Sequence, residues 1–267
     1  MKRTFALMGI SLAVCALGFA QDAGRIVVPS RNGSRARLVD VQSSNGTITV
    51  KTGEGADVVV ENGEERQDRP DRHAPPGMRR IDIPNRGLQV EEQDNTITVR
   101  DHSPGSSGNI VVTVPVNTSL HLRSNNGSIR AEGVHGEVDA ETHNGSIRVL
   151  NVSGSVLANT NNSSITVTMD RVDATKPSAF STLNGSVDVT LPPDVKATMK
   201  MTSDNGPIYS DFDVTVGAGR VVTQPNSDSN GRYRLRMDHT VVGTVNGGGA
   251  DMTFRTNNGS IVIRKKK

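Results

Sequence analysis

Residues 126–168 read NGSIRAEGVHGEVDAETHNGSIRVLNVSGSVLANTNNSSITVT, and the period inside this stretch decides the fold. A glycine, or a small stand-in, recurs every nine residues: Gly127, Gly136, Gly145, Gly154, then Ser163. Two residues after each stands a branched aliphatic: Ile129, Val138, Ile147, Val156, Ile165. Two further on is another small or branched residue: Ala131, Ala140, Val149, Ala158, Val167. The residue between is mostly polar (Arg130, Asp139, Arg148, Thr166), with Leu157 the exception. Apolar, polar, apolar is the mark of a strand with one buried face. A strand of about five residues and a turn of about four fill nine. A helix does not fit, because a glycine every nine positions breaks any helical stripe.

Nine is half of the repeat. Asn126 and Asn144 precede glycine, and Asn162 falls one further step on, before Ser163, whereas the alternate turns are His135-Gly136 and Ser153-Gly154. One coil is then about 18 residues, two short strands and two corners, the signature of a solenoid. Glycine tolerates a positive φ and asparagine does so better than most, which suits a sharp corner. Asparagines at one corner of successive coils would stack about 4.8 Å apart and bond amide to amide. Asn-Gly is also a common hairpin turn, but hairpins alone do not require this recurrence.

The same template runs along the chain. With the corner asparagine as origin, apolar residues are expected six and four before it and three and five after. Asn45 is framed by Val39, Val41, Ile48 and Val50, and Asn126 by Leu120, Leu122, Ile129 and Ala131. Asn184 is framed by Ser178, Phe180, Val187 and Val189, and Asn205 by Met199, Met201, Ile208 and Ser210. Asn258 is framed by Met252, Phe254, Ile261 and Ile263. Asp94 takes the asparagine place between Leu88, Val90, Ile97 and Val99. Ser178 and Ser210 are the misfits. The fold class expected is all-β: a β-solenoid of about 18-residue coils with two short strands each, capped by a longer C-terminal hairpin region.

Met1–Ala20 reads as a secretory signal peptide: Lys2 and Arg3, an apolar run from Phe5 to Phe19, then small residues before Gln21. The run is short for a membrane span, although a retained anchor is the other reading. Cys15, the one cysteine, would leave with the signal, so neither a disulfide framework nor a thiolate metal site is expected. Residues 21–38 form a lead-in and 39–267 a single solenoid domain. Within it, 61–80 is a charged, proline-containing loop, 102–109 a shorter excursion, and 211–240 an irregular hairpin or cap. Leu191-Pro192-Pro193-Asp194 is a further insert. A net charge of +2 gives no field for nucleic acid, and 3% aromatics leave no platform for stacking bases.

The motifs Asn126-Gly127-Ser128-Ile129, Asn144-Gly145-Ser146-Ile147 and Asn184-Gly185-Ser186-Val187 give the chain a resemblance to a known family. So do Leu191-Pro192, the run Val245 to Gly249 and the run Thr256 to Ile261. From about Val39 to Ile263 the sequence resembles the bacterial putative adhesin, or toast-rack, domain-of-unknown-function family. That resemblance implies a β-solenoid-like fold and an envelope location, with no assigned catalytic residues; the location expected is periplasmic, secreted or cell-surface, and no cofactor is expected.

No catalytic, cofactor or metal residue emerges from the sequence itself. The six histidines (His73, His102, His121, His135, His143, His239) lack zinc-site spacing, and the nonapeptide period lacks the fixed Asp of calcium repeats. Outward threonine pairs, Thr47/Thr49 and Thr96/Thr98, are too interrupted to order water as a flat array. Arg130 and Arg148 fall in register on adjacent coils and are the candidate ligand contacts, through charge-assisted bonds to an anionic envelope polymer. The structural corners are Asn45, Asn126, Asn144, Asn162, Asn184, Asn205 and Asn258. The expected function is a non-catalytic binding, adhesion-like or scaffolding module, its partner an envelope glycan or another envelope protein. The alternative is a polysaccharide-active enzyme of β-helix type, which needs two carboxylates about 5–10 Å apart in a groove.

Overall fold

The computed structural model describes residues 25–30, 36–63, 88–101, 108–217, 226–227, 233–234 and 240–267. Every regular element among them is a strand. The signal-like segment, most of the 61–80 loop, and His73, His102 and His239 lie outside the described residues.

The chain forms a β-solenoid. Each coil has an entry strand running into an asparagine corner and an exit strand leaving it. The Asn45 coil comprises Arg37–Asn45 and Ile48–Thr52. The Asn126 coil comprises Thr118–Asn126 and Ile129–Glu132. His135–Thr142 enters the Asn144 corner, and Ile147–Thr160 both leaves it and enters Asn162, which Ile165–Val172 leaves. The remaining coils are Ser178–Asn184 with Val187–Leu191, Ala197–Ser203 with Ile208–Ser210, and Ala250–Asn258 with Ile261–Lys265. Entry strands pair in parallel with entry strands, and exit strands with exit strands, making two walls.

Strict register carries the alternation of side chains from coil to coil. Ile147 lies opposite Ile129 on one side and Ile165 on the other, and all three are fully buried. The exit wall thereby holds an isoleucine-rich row that also takes in Ile48, Val187 and Ile261. On the entry wall Val41, Leu122, Ala140, Ala158, Phe180 and Phe254 form the matching row. The rings of Phe180 and Phe254 stack with centroids 5.2 Å apart. One continuous aliphatic core fills the space between the walls. Ser178 fits this core because its hydroxyl is not idle: it accepts the Val156 amide at 3.2 Å. Ser210 sits exposed on the terminal coil. Leu191 is buried and belongs to its coil, so the insert there begins at Pro192.

The order of coils in space is not the order in the chain. The Asn258 coil is wedged between the Asn184 and Asn205 coils: Phe254 pairs with Phe180 on one side and Met201 on the other. At the opposite end the Asn45 coil stacks directly on the Asn126 coil. The intervening segment turns outward to build one more coil and a cap.

There the structure corrects the expectation for Asp94. Leu88–Gln93 and Thr96–Asp101 are antiparallel, joined by Asp94 and Asn95 with φ of 50° and 66°, a tight hairpin. Thr96–Asp101 is an entry strand, since Ile97 and Val99 pair with Val39 and Val41. Its exit partner is Asn109–Val114, which pairs with Ile48–Thr52. The corner of this end coil, between Asp101 and Gly108, lies outside the described residues.

Antiparallel strands cover both walls at the Asn45 end and the entry wall at the other. Leu88–Gln93 covers the entry wall, while Val58–Gly63 and then Arg25–Val28 cover the exit wall. At the other end Thr240–Val245 runs antiparallel to Ala197–Ser203, with Thr215–Val216 beyond it. Such capping strands keep the walls they cover from presenting a parallel edge to other chains.

Candidate functional site

The asparagine corners form a single ladder. Asn126 Nδ2 donates to Asn45 Oδ1 at 3.2 Å, and Asn144 to Asn126 at 2.8 Å. Asn162 donates to Asn144 at 2.8 Å, and Asn184 to Asn162 at 2.9 Å. Asn258 donates to Asn184 at 2.7 Å, and Asn205 to Asn258 at 2.9 Å. Every amide thus points the same way, toward the Asn45 end.

Sequence reasoning missed a second row beneath this one. Two residues before each corner asparagine stands a hydroxyl: Ser43, Ser124, Thr142, Thr160, Thr182, Ser203 and Thr256, all buried. Thr142 donates to the Gly127 carbonyl, Thr160 to Gly145, Thr182 to Ser163 and Thr256 to Gly185, at 2.8–3.0 Å. These four each satisfy a corner carbonyl of the neighbouring coil, whereas Ser43 donates to the Asn45 carbonyl of its own coil at 3.1 Å and Ser203 to that of Gly206 at 2.8 Å, with Gly259 of the next coil at 3.3 Å. The signal was present as Ser or Thr at a constant offset from asparagine, but a polar residue on an inward position looks like noise until its acceptor is seen. Ser124 departs from the row, its Oγ buried without a partner.

On the exit wall the outward row runs Thr49, Arg130, Arg148, Thr166, Asp188. Arg130 and Arg148 are both exposed on adjacent rungs, about 4.8 Å apart at the backbone. Arg130 Nη2 has Glu132 at 3.6 Å. Arg148 has no carboxylate partner among the described residues. At the far end of this wall Arg264 makes a forked pair with Asp188, at 2.9 and 3.0 Å, which raises the guanidinium pKa through hydrogen bonds and charge.

A polar groove lies at the opposite corner, where coils turn back. It encloses about 660 Å³ and is lined by Asn117, Ser119, His135, Glu137, Arg171, Asp173 and Lys176 above a floor of Gly136, Ser153, Gly154 and Ser155. Glu137 is paired to Lys176 at 2.9 Å, and that bond raises the lysine pKa. Asp173 accepts the Thr175 hydroxyl at 2.6 Å and amide at 2.9 Å, which hold its carboxyl below the usual range. Among the described residues no three His, Cys, Asp or Glu side chains come together as a metal set.

A family model described as Toastrack DUF4097 matches residues 26–263. The chain belongs to the Toastrack family. Among solved structures this Toastrack chain is similar to a putative cell adhesion protein from Clostridium sporogenes ATCC 15579. The two share 10% identity and a TM-score of 0.51, over 91% of this chain and 99% of that one. A putative adhesin from Bacteroides fragilis NCTC 9343 aligns over 92% of this chain and 98% of that one, at 11% identity and a TM-score of 0.23. At such identity the first likeness bears on the fold alone, and the second carries no weight. No curated protein matches the chain.

Proposed function

We propose that this Toastrack chain is an exported, non-catalytic binding module of the cell envelope, working in the periplasm or at the cell surface. Its contact surface in this reading is the exit wall around Arg148 and Arg130, and its ligand is an anionic envelope polymer. The observation that carries it is the register of Arg148 on Arg130 with, among the described residues, no carboxylate held against Arg148. Like charges directly opposite on neighbouring strands are unfavourable. A carboxylate or phosphate of a ligand, seated across the two rungs, removes that cost and gains charge-assisted bonds. The secretory pattern of Met1–Ala20 supports the location.

The enzyme reading draws no support from the groove. A glycosidic general acid needs a raised pKa, whereas Asp173 is lowered and Glu137 is tied to Lys176. The test is retention of the protein on peptidoglycan and on an anionic glycan. Arg148→Ala is expected to weaken retention and its salt dependence, and Arg148→Glu to abolish it. Equal retention of all three proteins would remove this wall from consideration.

A further inference from the structure

We propose that Asn205, at one end of the asparagine ladder, is a site of deamidation, and that the other rungs are shielded from the same reaction by their hydrogen bonds. Six of the seven ladder asparagines precede glycine; only Asn162 does not. In an Asn-Gly pair no side chain crowds the backbone nitrogen of the second residue. That nitrogen attacks the asparagine Cγ, forming a C–N bond in a five-membered succinimide. Nδ2 leaves as ammonia, taking with it the proton the backbone nitrogen gives up. Water then opens the ring at either carbonyl, to aspartate or isoaspartate. The balance is amide plus water to carboxylic acid plus ammonia, with no other reactant.

The ladder controls this chemistry because the side chain must leave its rung to be attacked. Asn126, Asn144, Asn184 and Asn258 each give up two amide bonds, one donated and one accepted. Asn45 gives up the bond its Oδ1 accepts, which at 3.2 Å is the longest of the six, and reaction there also breaks the 3.3 Å bond that the attacking Gly46 amide donates to the Asn126 carbonyl. Asn205 gives up only the bond its Nδ2 donates. One net hydrogen bond corresponds to about a fivefold change in the population free to react.

The common direction of the amides makes the two ends unequal after reaction. An aspartate at position 45 still accepts from Asn126, so the ladder survives. An aspartate at position 205 has no amide to offer, and its carboxylate oxygen faces the Asn258 Oδ1 that it formerly served. Asn258 then becomes an end rung held by one bond, with Gly259 beside it. Damage therefore advances inward from one end only, in the spatial order 205, 258, 184.

Ageing the folded protein at mildly alkaline pH, with a urea-unfolded sample beside it, tests this by peptide mass spectrometry. The seven ladder asparagines lie on seven different tryptic peptides. In the folded sample Asn205 is expected to convert about fivefold faster than Asn126, Asn144 and Asn184, and in urea the Asn-Gly sites converge. Asn205→Asp is expected to speed conversion at Asn258 by about the same factor, while Asn45→Asp leaves Asn126 unchanged. Interior sites converting as fast as Asn205 in the folded protein would overturn the shielding. Equal effects of the two aspartate variants on their neighbours would overturn the polarity.

Discussion

At the scale of single residues, the corner glycines are needed for a reason other than the one their sequence context suggests. Asn-Gly implies a positive φ, yet among the ladder corners only Gly46, at 114°, has one. A Cβ on Gly145 would instead strike the carbonyl of Gly127 in the next coil, and one on Gly259 that of Gly185. Stacked coils leave no room for a methyl, a fact about neighbours that no single coil's sequence contains. Gly145→Ala is expected to cost about 2 kcal/mol or more, as overpacking does. Gly217→Ala, where the nearest atom stands at 3.7 Å, is expected to be close to neutral; urea unfolding of both variants checks the contrast. Thr160→Val keeps the volume but removes the donor to Gly145, and should lower stability by about 1–2 kcal/mol in the same measurement.

Among the elements, the period-two pattern was enough to place inward and outward side chains, because burial on one face is what it encodes. It did not distinguish a coil corner from a hairpin. Leu88, Val90, Ile97 and Val99 satisfy the template around Asp94, but Val90 faces Val99 across an antiparallel pair. Alternation is identical in the two arrangements, and only the two residues with positive φ separate them. Ile147→Asp sets a carboxylate between Ile129 and Ile165, where nothing can pair with it. Several kcal/mol of destabilisation are expected, seen as a lower melting temperature; an unchanged one would contradict the register. The turn from Asp173 to Lys176 carries a pH dependence. Asp173 is depressed by its bonds from Thr175, so its contribution is present at neutral pH and is lost as pH falls through the lowered pKa. Lys176 is raised by Glu137, so its contribution is full below the ordinary lysine pKa and is lost as pH rises through the raised value. The protection of the Thr175 amide, its exchange rate set against the intrinsic rate at the same pH, is expected to fall on acidification and to hold at neutral pH.

For the whole molecule, each coil was legible in the sequence but their order was not. All coils present the same aliphatic rows to their neighbours, so Val187 is served equally well by Ile208 or Ile261. Chain connectivity favours the sequential choice; the structure takes the other and threads the last coil between two earlier ones. The candidate arginines were legible for the same reason the coils were, as a fixed offset within one repeat, whereas the groove depends on Lys176 reaching back to Glu137 across two coils. The placement of the last coil is tested most directly by cross-linking. Ser186 and Ser260 have their Oγ atoms 3.2 Å apart on adjacent rungs, within reach of a disulfide, while two rungs exceed the roughly 7 Å limit between Cα atoms. The double variant Ser186→Cys/Ser260→Cys is predicted to close on mild oxidation, and Ser186→Cys/Pro207→Cys to stay open. Closure of the second pair and not the first would mean that the coils stack in chain order, contrary to this account.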